Sequence, residues 1–402
     1  MGHPRRSRWL AAITAVVLAG ALAGPASAGP PPPIVWTRAA ASAVFDGAYL
    51  RAVAGGPAGL VAVGSRLSDG SWQAGAWTSR DGRTWRRSPD LPGGSGTDLA
   101  GVARWRGWFY AAGTMYVQHG NRWTPGVALY RSRDGARWAR LAIPSSLVGV
   151  TALDVVAMAD RLGLVGCRDS ESGGCWFGTH ARAAIWTSRD GVRWTATAVA
   201  GAENAYVSSL ARTPFGYTAV GGVVDVWEDE EGYTVSSPVE AALWVSRDGA
   251  RWRRAGDGAD LESASAADVA SAAGRVVAVG AAWACVQSWT TTGGATWRTL
   301  EDGCALSGEF GAEMDAVAAI GRTFVATGFT YAESAEDPPP LPIWVSQDGR
   351  DWSQVGGGAL RAPGGATGSD VIAWRGMFVV VGAVGIYEGE TLLGAVWLGR
   401  PR

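Results

Sequence analysis

Apolar and polar residues alternate in short runs along most of this chain, and the runs are separated by glycine or Asp-Gly pairs. One stretch shows the pattern: Asp98 to Trp105, then Trp108 to Thr114, Ala128 to Ser132 and Trp138 to Ile143. Period-two alternation bounded by turn residues predicts half-buried strands, here four in succession. The same group recurs. Trp36, Trp85, Trp138, Trp194, Trp252, Trp297 and Trp352 are followed by Gly64, Gly113, Gly166, Gly221, Gly280, Gly328 and Gly382, at separations of 28, 28, 28, 27, 28, 31 and 30 residues. Such constancy means one supersecondary unit repeated. Four-stranded antiparallel units repeating every 45 to 58 residues predict an all-β fold, a β-propeller with seven blades.

The ends of the chain predict how the ring closes. A second aromatic stands eight residues before the outer tryptophan at Trp77, Tyr130, Trp186, Trp244, Trp289 and Trp344. The seventh, Trp397, has no following partner, whereas Trp36 has no preceding one. Ile34-Val35-Trp36 is therefore expected to complete the last blade, whose inner three strands span roughly 369 to 398. That pairing removes an exposed sheet edge.

Between the two aromatics lies the most specific motif: WTSRDGRTW at 77–85, YRSRDGARW at 130–138, WTSRDGVRW at 186–194, WVSRDGARW at 244–252, WTTTGGATW at 289–297 and WVSQDGRDW at 344–352. It is built for a hairpin. The aspartate accepts turn N–H groups, glycine tolerates positive φ, and the tryptophan covers the turn. Each buried indole contributes on the order of 4 to 6 kcal/mol gross. Thirteen of the 22 tryptophans occupy these paired positions, so the tryptophan count needs no ligand to explain it. These turns resemble the Asp-box, or bacterial neuraminidase repeat, of sialidase-like propellers. The resemblance implies a structural turn remote from any active site, so the boxed aspartates are not catalytic candidates. It also implies exo-sialidase chemistry as one activity, with an arginine triad, an acid and a tyrosine nucleophile, and no such triad can be assigned from the residues.

Arg5, Arg6 and Arg8 precede an apolar run from Trp9 to Gly24, and Ala26-Ser27-Ala28 offers a cleavage site. Residues 1–28 read as a secretory signal peptide, 29–33 as a Pro-rich lead-in, and 34–402 as the propeller. The protein is expected to be secreted and extracellular, monomeric, and without a transmembrane anchor after cleavage. The formal charge of −1 includes three arginines and no acids within residues 1–28, so the remainder carries −4. That balance disfavours nucleic acid as a partner. All 35 basic residues are arginine, which excludes Schiff-base lysine chemistry. Four cysteines in an exported chain suggest two disulfides, and of three connectivities locality favours Cys167 with Cys175 and Cys285 with Cys304. The loop-entropy model gives about 2.5 and 3.3 kcal/mol for them.

Function is expected where the repeat varies. From repeat glycine to inner aromatic the spacings are 13, 17, 20, 23, 9, 16 and 15, so the second-to-third strand loops form a variable face on a fixed scaffold. Trp123, Trp176, Trp227, Tyr233 and Tyr331 lie there with several carboxylates, a mixture suited to a glycan or a protein partner. Asp154, Asp268 and Asp370 each precede the repeat glycine by twelve residues, and Asp315 does so by thirteen. At the start of the inner strand they approach the channel on that same face. Four carboxylates there suit a cation such as calcium, paired acid–base chemistry, or simple capping of neighbouring strands. His119 and His180 carry no metal-binding spacing. A binding or scaffold module is the expected function, with a sialidase-like glycoside hydrolase or polysaccharide lyase as the alternative.

Overall fold

The computed structural model describes residues 33–40, 42–119, 122–168, 174–177, 181–228, 234–332, 338–386 and 392–402. The expected signal peptide and nearly all of the lead-in lie outside these residues, as do His180 and Tyr233. The described fold is all-β: its helical segments are the single turn Gly174–Phe177 and four short 3-10 turns. Among the described residues no helix is long and apolar enough to cross a membrane.

Each unit is an antiparallel sheet in sequence order. β1 (Ile34–Arg38) stands apart at the N-terminus; β2 (Ala48–Gly56), β3 (Gly59–Ser68), β4 (Ser71–Ser79) and β5 (Trp85–Arg87) form the first complete sheet. The following units repeat this order, two of them joined by parallel pairing of Thr195–Val199 with Arg251–Ala255. β1 pairs with the last strand, Leu393–Pro401, placing Trp36 opposite Gly399. A Cβ on Gly399 would lie 2.7 Å from the Trp36 ring, so the absent side chain makes room for the indole. The first and last sheets share one core, in which Leu50, Trp77, Trp374 and Leu398 are buried together.

The boxed turns follow the chemistry of their residues. In the first, Asp81 Oδ1 accepts the N–H groups of Arg83 and Thr84, each at 2.8 Å, while the Ser79 hydroxyl accepts the Gly82 N–H at 2.8 Å. Trp85 Nε1 then donates to the Gly82 carbonyl at 2.8 Å, closing the indole over the turn. Gly82 itself has φ +78° and packs against Leu398 of the last sheet. The turn beginning at Thr291 keeps the hydroxyl contact, with the Gly294 N–H donating at 2.9 Å, but Gly293 offers no carboxylate.

The repeat glycines have a different cause. Opposite each of them the inner strand carries a β-bulge, one residue without a partner: Ala267 is passed over between Ala266 and Asp268, where Gly280 pairs with Ala266. The extra residue pushes a carbonyl toward the second strand. A Cβ on Gly280 would sit 1.9 Å from Ser265 O, and one on Gly64 2.0 Å from Tyr49 O. Only glycine admits that approach.

Both disulfides are local, Cys167–Cys175 and Cys285–Cys304, spanning 8 and 19 residues. Some strands run longer than their alternation suggested. Asp225 and Trp227 belong to strand Gly216–Glu228, which pairs with Thr234–Ser246, and not to a loop. Val223-Val224-Asp225-Val226-Trp227 continues the period-two pattern past the expected end. Tyr116, His119 and Trp123 likewise lie on strands Trp108–His119 and Arg122–Ser132, and Trp176 on the helical turn. The outer strand expected at Trp138 to Ile143 is only Ala139–Arg140.

Candidate functional site

The inner strands β2, Thr97–Trp105, Val150–Ala157, Ala205–Thr213, Ala264–Ala272, Ala312–Ile320 and Ala366–Trp374 together line one cavity of about 1710 Å³. The bulges decide which side chains enter it. Asp154, Asp268 and Asp370 hold the same place, the residue just after the extra one. Asp315 is itself the extra residue of its strand, one position out of step with the others. The difference of one residue in spacing from the repeat glycine is the trace of this offset.

A bulge leaves backbone donors without ladder partners, and two of the aspartates supply the acceptors. Asp370 Oδ2 accepts the Val53 N–H of β2 at 2.8 Å. Asp268 reaches both ways: its Oδ1 accepts the Ser209 hydroxyl at 2.6 Å, and its Oδ2 the Val317 N–H at 2.8 Å. Asp154 Oδ1 accepts its neighbour's Val155 N–H at 2.7 Å and lies where a Cβ on Gly101 would intrude, 2.2 Å away. These carboxylates face adjacent strands rather than one another. Among the described residues no three His, Cys, Asp or Glu side chains gather closely enough to hold a metal ion, so of the three readings of the four aspartates the hydrogen bonds above fit the capping of neighbouring strands.

The protein wall around the channel nonetheless acts on their protons. Burial raises Asp370 to about 7, opposed by the Val53 N–H and assisted by the charge of Asp268. Burial also raises Asp315 to about 7, with Glu313 adding to the rise and Arg51 opposing it. Asp154 is raised well above the ordinary carboxylate range by burial and by Asp370 and Asp268. Asp268 is raised by burial against its hydrogen bonds. A carboxyl whose folded pKa exceeds its unfolded 3.8 favours folding at low pH, and that contribution is lost as pH rises through the folded value. For Asp315 the window is about 4 to 7. Asp315→Asn is therefore expected to match the native protein near pH 4 and to exceed it at pH 8 by roughly 1–3 kcal/mol, channel solvent reducing the full effect. Urea unfolding of both proteins at the two pH values checks this; a difference that is constant with pH contradicts it.

The mouth of the cavity on the loop side has its own constellation. The Arg51 guanidinium lies 4.3 Å from the Tyr49 ring centroid and 3.1 Å from Asp98. The Tyr331 hydroxyl donates to Glu313, and its ring meets Phe329 edge-on with centroids 5.1 Å apart. Trp72 and Tyr206 line the same cavity. Of the sequence candidates, Tyr331 and Trp227 are exposed on this face, whereas the side chains of Trp123 and Trp176 lie outside the described structure. Neither Tyr331 nor Trp227 lines the cavity, so the aromatic candidates are not gathered at its wall.

Sequence reasoning passed over Arg51, Glu313 and Trp283. Trp283 is the most exposed large apolar side chain described, at 81 %, and it has φ +55°. Its signal was a tryptophan between Gly280 and Trp289, in the shortest variable connection and outside both repeat positions.

No protein-family model and no curated protein matches this sequence. Solved structures do. A structure of YCF48 bound to D1 peptide is 14% identical, with 92% of this chain and 96% of that chain covered, at a TM-score of 0.55. The WD40 beta propeller domain of Doa1 is 11% identical over 91% of this chain and 97% of that one, at a TM-score of 0.51. Trypanosoma rangeli sialidase is 10% identical over 87% of this chain and 54% of that one, at 0.46. At these identities the likeness is one of fold: the chain has β-propeller neighbours.

Proposed function

We propose that this chain is an exported β-propeller of seven four-stranded blades, residues 34–402, preceded by a signal peptide at 1–28 and a Pro-rich lead-in at 29–33. In this reading the N-terminal strand completes the last blade, and the boxed turns are Asp-box repeats. Three contacts support closure: β1 pairs with Leu393–Pro401, Gly82 packs on Leu398, and the Val53 N–H reaches Asp370. Two disulfides and the small-residue cleavage site support export.

The protein then acts as a binding or scaffold module, a monomer that holds a glycan or an extracellular protein on its variable-loop face. One observation carries this reading. The described residues lining the cavity include two arginines, Arg51 and Arg104. Arg51 lies near the loop end of its strand and is paired with Asp98; Arg104 lies near the opposite end of Thr97–Trp105. Three arginines converging beside a tyrosine and a carboxylate, as the sialidase resemblance requires, are not assembled among them. An aromatic rim of Tyr49, Trp72, Tyr206 and Phe329 is. The alternative, a sialidase-like glycoside hydrolase or polysaccharide lyase, draws its support from Asp315, a carboxyl raised to about 7 beside Glu313.

Residues 29–402 offered to a panel of fluorogenic glycosides, polysaccharides, a glycan array and a peptide array separate the two. Retention of a glycan or peptide without turnover is the expected result. Release of fluorophore or unsaturated sugar, abolished by Asp315→Asn, would move the assignment to the enzyme.

A further inference from the structure

Four exposed apolar side chains share one rim of the variable-loop face, and backbone hydrogen bonds connect their segments. The Ser263 N–H donates to the Val239 carbonyl at 2.9 Å, and the Trp283 N–H to the Ser263 carbonyl at 3.2 Å. Beyond Trp283, the Ala312 N–H donates to Ala284 O and the Tyr331 N–H to Gly311 O, each at 2.9 Å. Phe310 precedes Gly311. Val239, Trp283, Phe310 and Tyr331 thus stand in sequence across three neighbouring sheets, exposed by 43, 81, 45 and 40 %. Isolated exposed apolar residues need no account, but four on successive hydrogen-bonded segments of one rim mark an interaction surface.

The row is held in place. Disulfide Cys285–Cys304 ties the strand that follows Trp283 to the connection that carries Phe310. Trp283 sits in the left-handed region, at φ +55°, where a bulky residue is disfavoured. Aromatic side chains have few torsions to freeze on binding, which makes them effective anchors.

Charge selects the occupant. Glu262, next to Ser263, and Glu309, next to Phe310, are exposed, and among the described residues neither is in an ion pair. The segments 256–264 and 299–314 carry the acids, and neither they nor 281–286 and 328–332 contain an arginine or lysine, although the chain has 35 arginines. On the adjoining hairpin Arg254 is paired with Glu240. Boxed turns on the opposite face bear arginines such as Arg83, Arg137, Arg193 and Arg251. An acidic apolar rim of this kind attracts a basic apolar segment and repels an anionic one.

We propose that the Val239–Trp283–Phe310–Tyr331 rim docks a cationic segment of another polypeptide, its apolar side chains on Trp283 and Phe310 and its arginines or lysines on Glu262, Glu309 and Glu313. This deepens the binding-module reading and rests on it. The sialidase alternative places an anionic sugar on the protein, which this rim disfavours.

The test uses residues 29–402 and two fluorescein-labelled twelve-residue peptides, one alternating Arg and Val and the other Glu and Val, in polarisation titrations at low and high salt. The Arg peptide is expected to bind at least about tenfold more tightly than the Glu peptide and to weaken with salt. Trp283→Asn, a residue tolerant of left-handed backbone, is expected to weaken it about tenfold or more with an unchanged melting temperature. Phe310→Ser and the pair Glu262→Gln with Glu309→Gln give the same direction without touching φ-constrained sites. Equal affinity for the two peptides, no binding of either, or indifference to Trp283→Asn and Phe310→Ser overturns the proposal. A neutral glycan bound in a Trp283-dependent manner overturns the cationic partner while leaving the binding module intact; glycoside turnover removes the module reading itself.

Discussion

Gly280→Ala is expected to destabilise the protein by roughly 3–5 kcal/mol, although it adds one methyl group. The added carbon would lie 1.9 Å from Ser265 O and 2.9 Å from the Ala266 Cα, both backbone atoms that no rotamer change can move. The strand pair must separate or the bulge must be lost, and with it the direction of Asp268. A contrasting glycine supplies the control. Gly293 has nothing within 4 Å of its missing Cβ and stands where the other boxed turns have aspartate. Gly293→Asp is expected to stabilise by about 1 kcal/mol, its carboxylate accepting the turn N–H groups that Asp81 accepts elsewhere. Thermal or urea unfolding measures both. A Gly280→Ala protein as stable as the native one would show that the bulge does not govern the repeat glycine.

Removing residues 29–40 is expected to cost several kcal/mol, on the order of 4–6, and to promote association of the shortened chain. Two losses combine. Trp36 leaves the core it shares with Trp397, and Leu393–Pro401 loses the partner that covers it from Ile34 to Arg38. The uncovered strand would present Val396, Trp397 and Leu398 beside unpaired backbone groups, a template for pairing with a second chain. Trp36→Ala alone should reproduce about 3–5 kcal/mol of the effect without the association. An unchanged melting temperature for the deletion contradicts the proposed closure.

Much of the architecture was legible because it recurs. Paired tryptophans, boxed aspartates and repeat glycines mark the same unit along the chain, and local spacing sufficed for Cys167–Cys175 and Cys285–Cys304. The reason for the glycines was not legible: it lies in the strand opposite, where an unpaired residue such as Ala267 has no distinctive chemistry of its own. The same bulge explains why Asp315 differs from Asp154, Asp268 and Asp370, since one residue of register decides which neighbour a carboxylate meets. Trp227 stood out as a contact candidate by residue type, but its placement on a strand required knowing that Gly216–Glu228 and Thr234–Ser246 extend each other by pairing. Trp283 was lost among 22 tryptophans because exposure is a property of the fold. Arg51 was hidden by the abundance of arginine, and only its position beside Tyr49 and Asp98 sets it apart.

The claim that function resides on the variable-loop face, opposite the boxed turns, is tested most directly by hydrogen–deuterium exchange of residues 29–402 with and without the Arg–Val peptide. The account predicts slowed exchange in segments 234–240, 259–264, 281–286, 307–313 and 328–332, and no change in the boxed turns at 79–85 and 188–194. Protection confined to the boxed turns would contradict it.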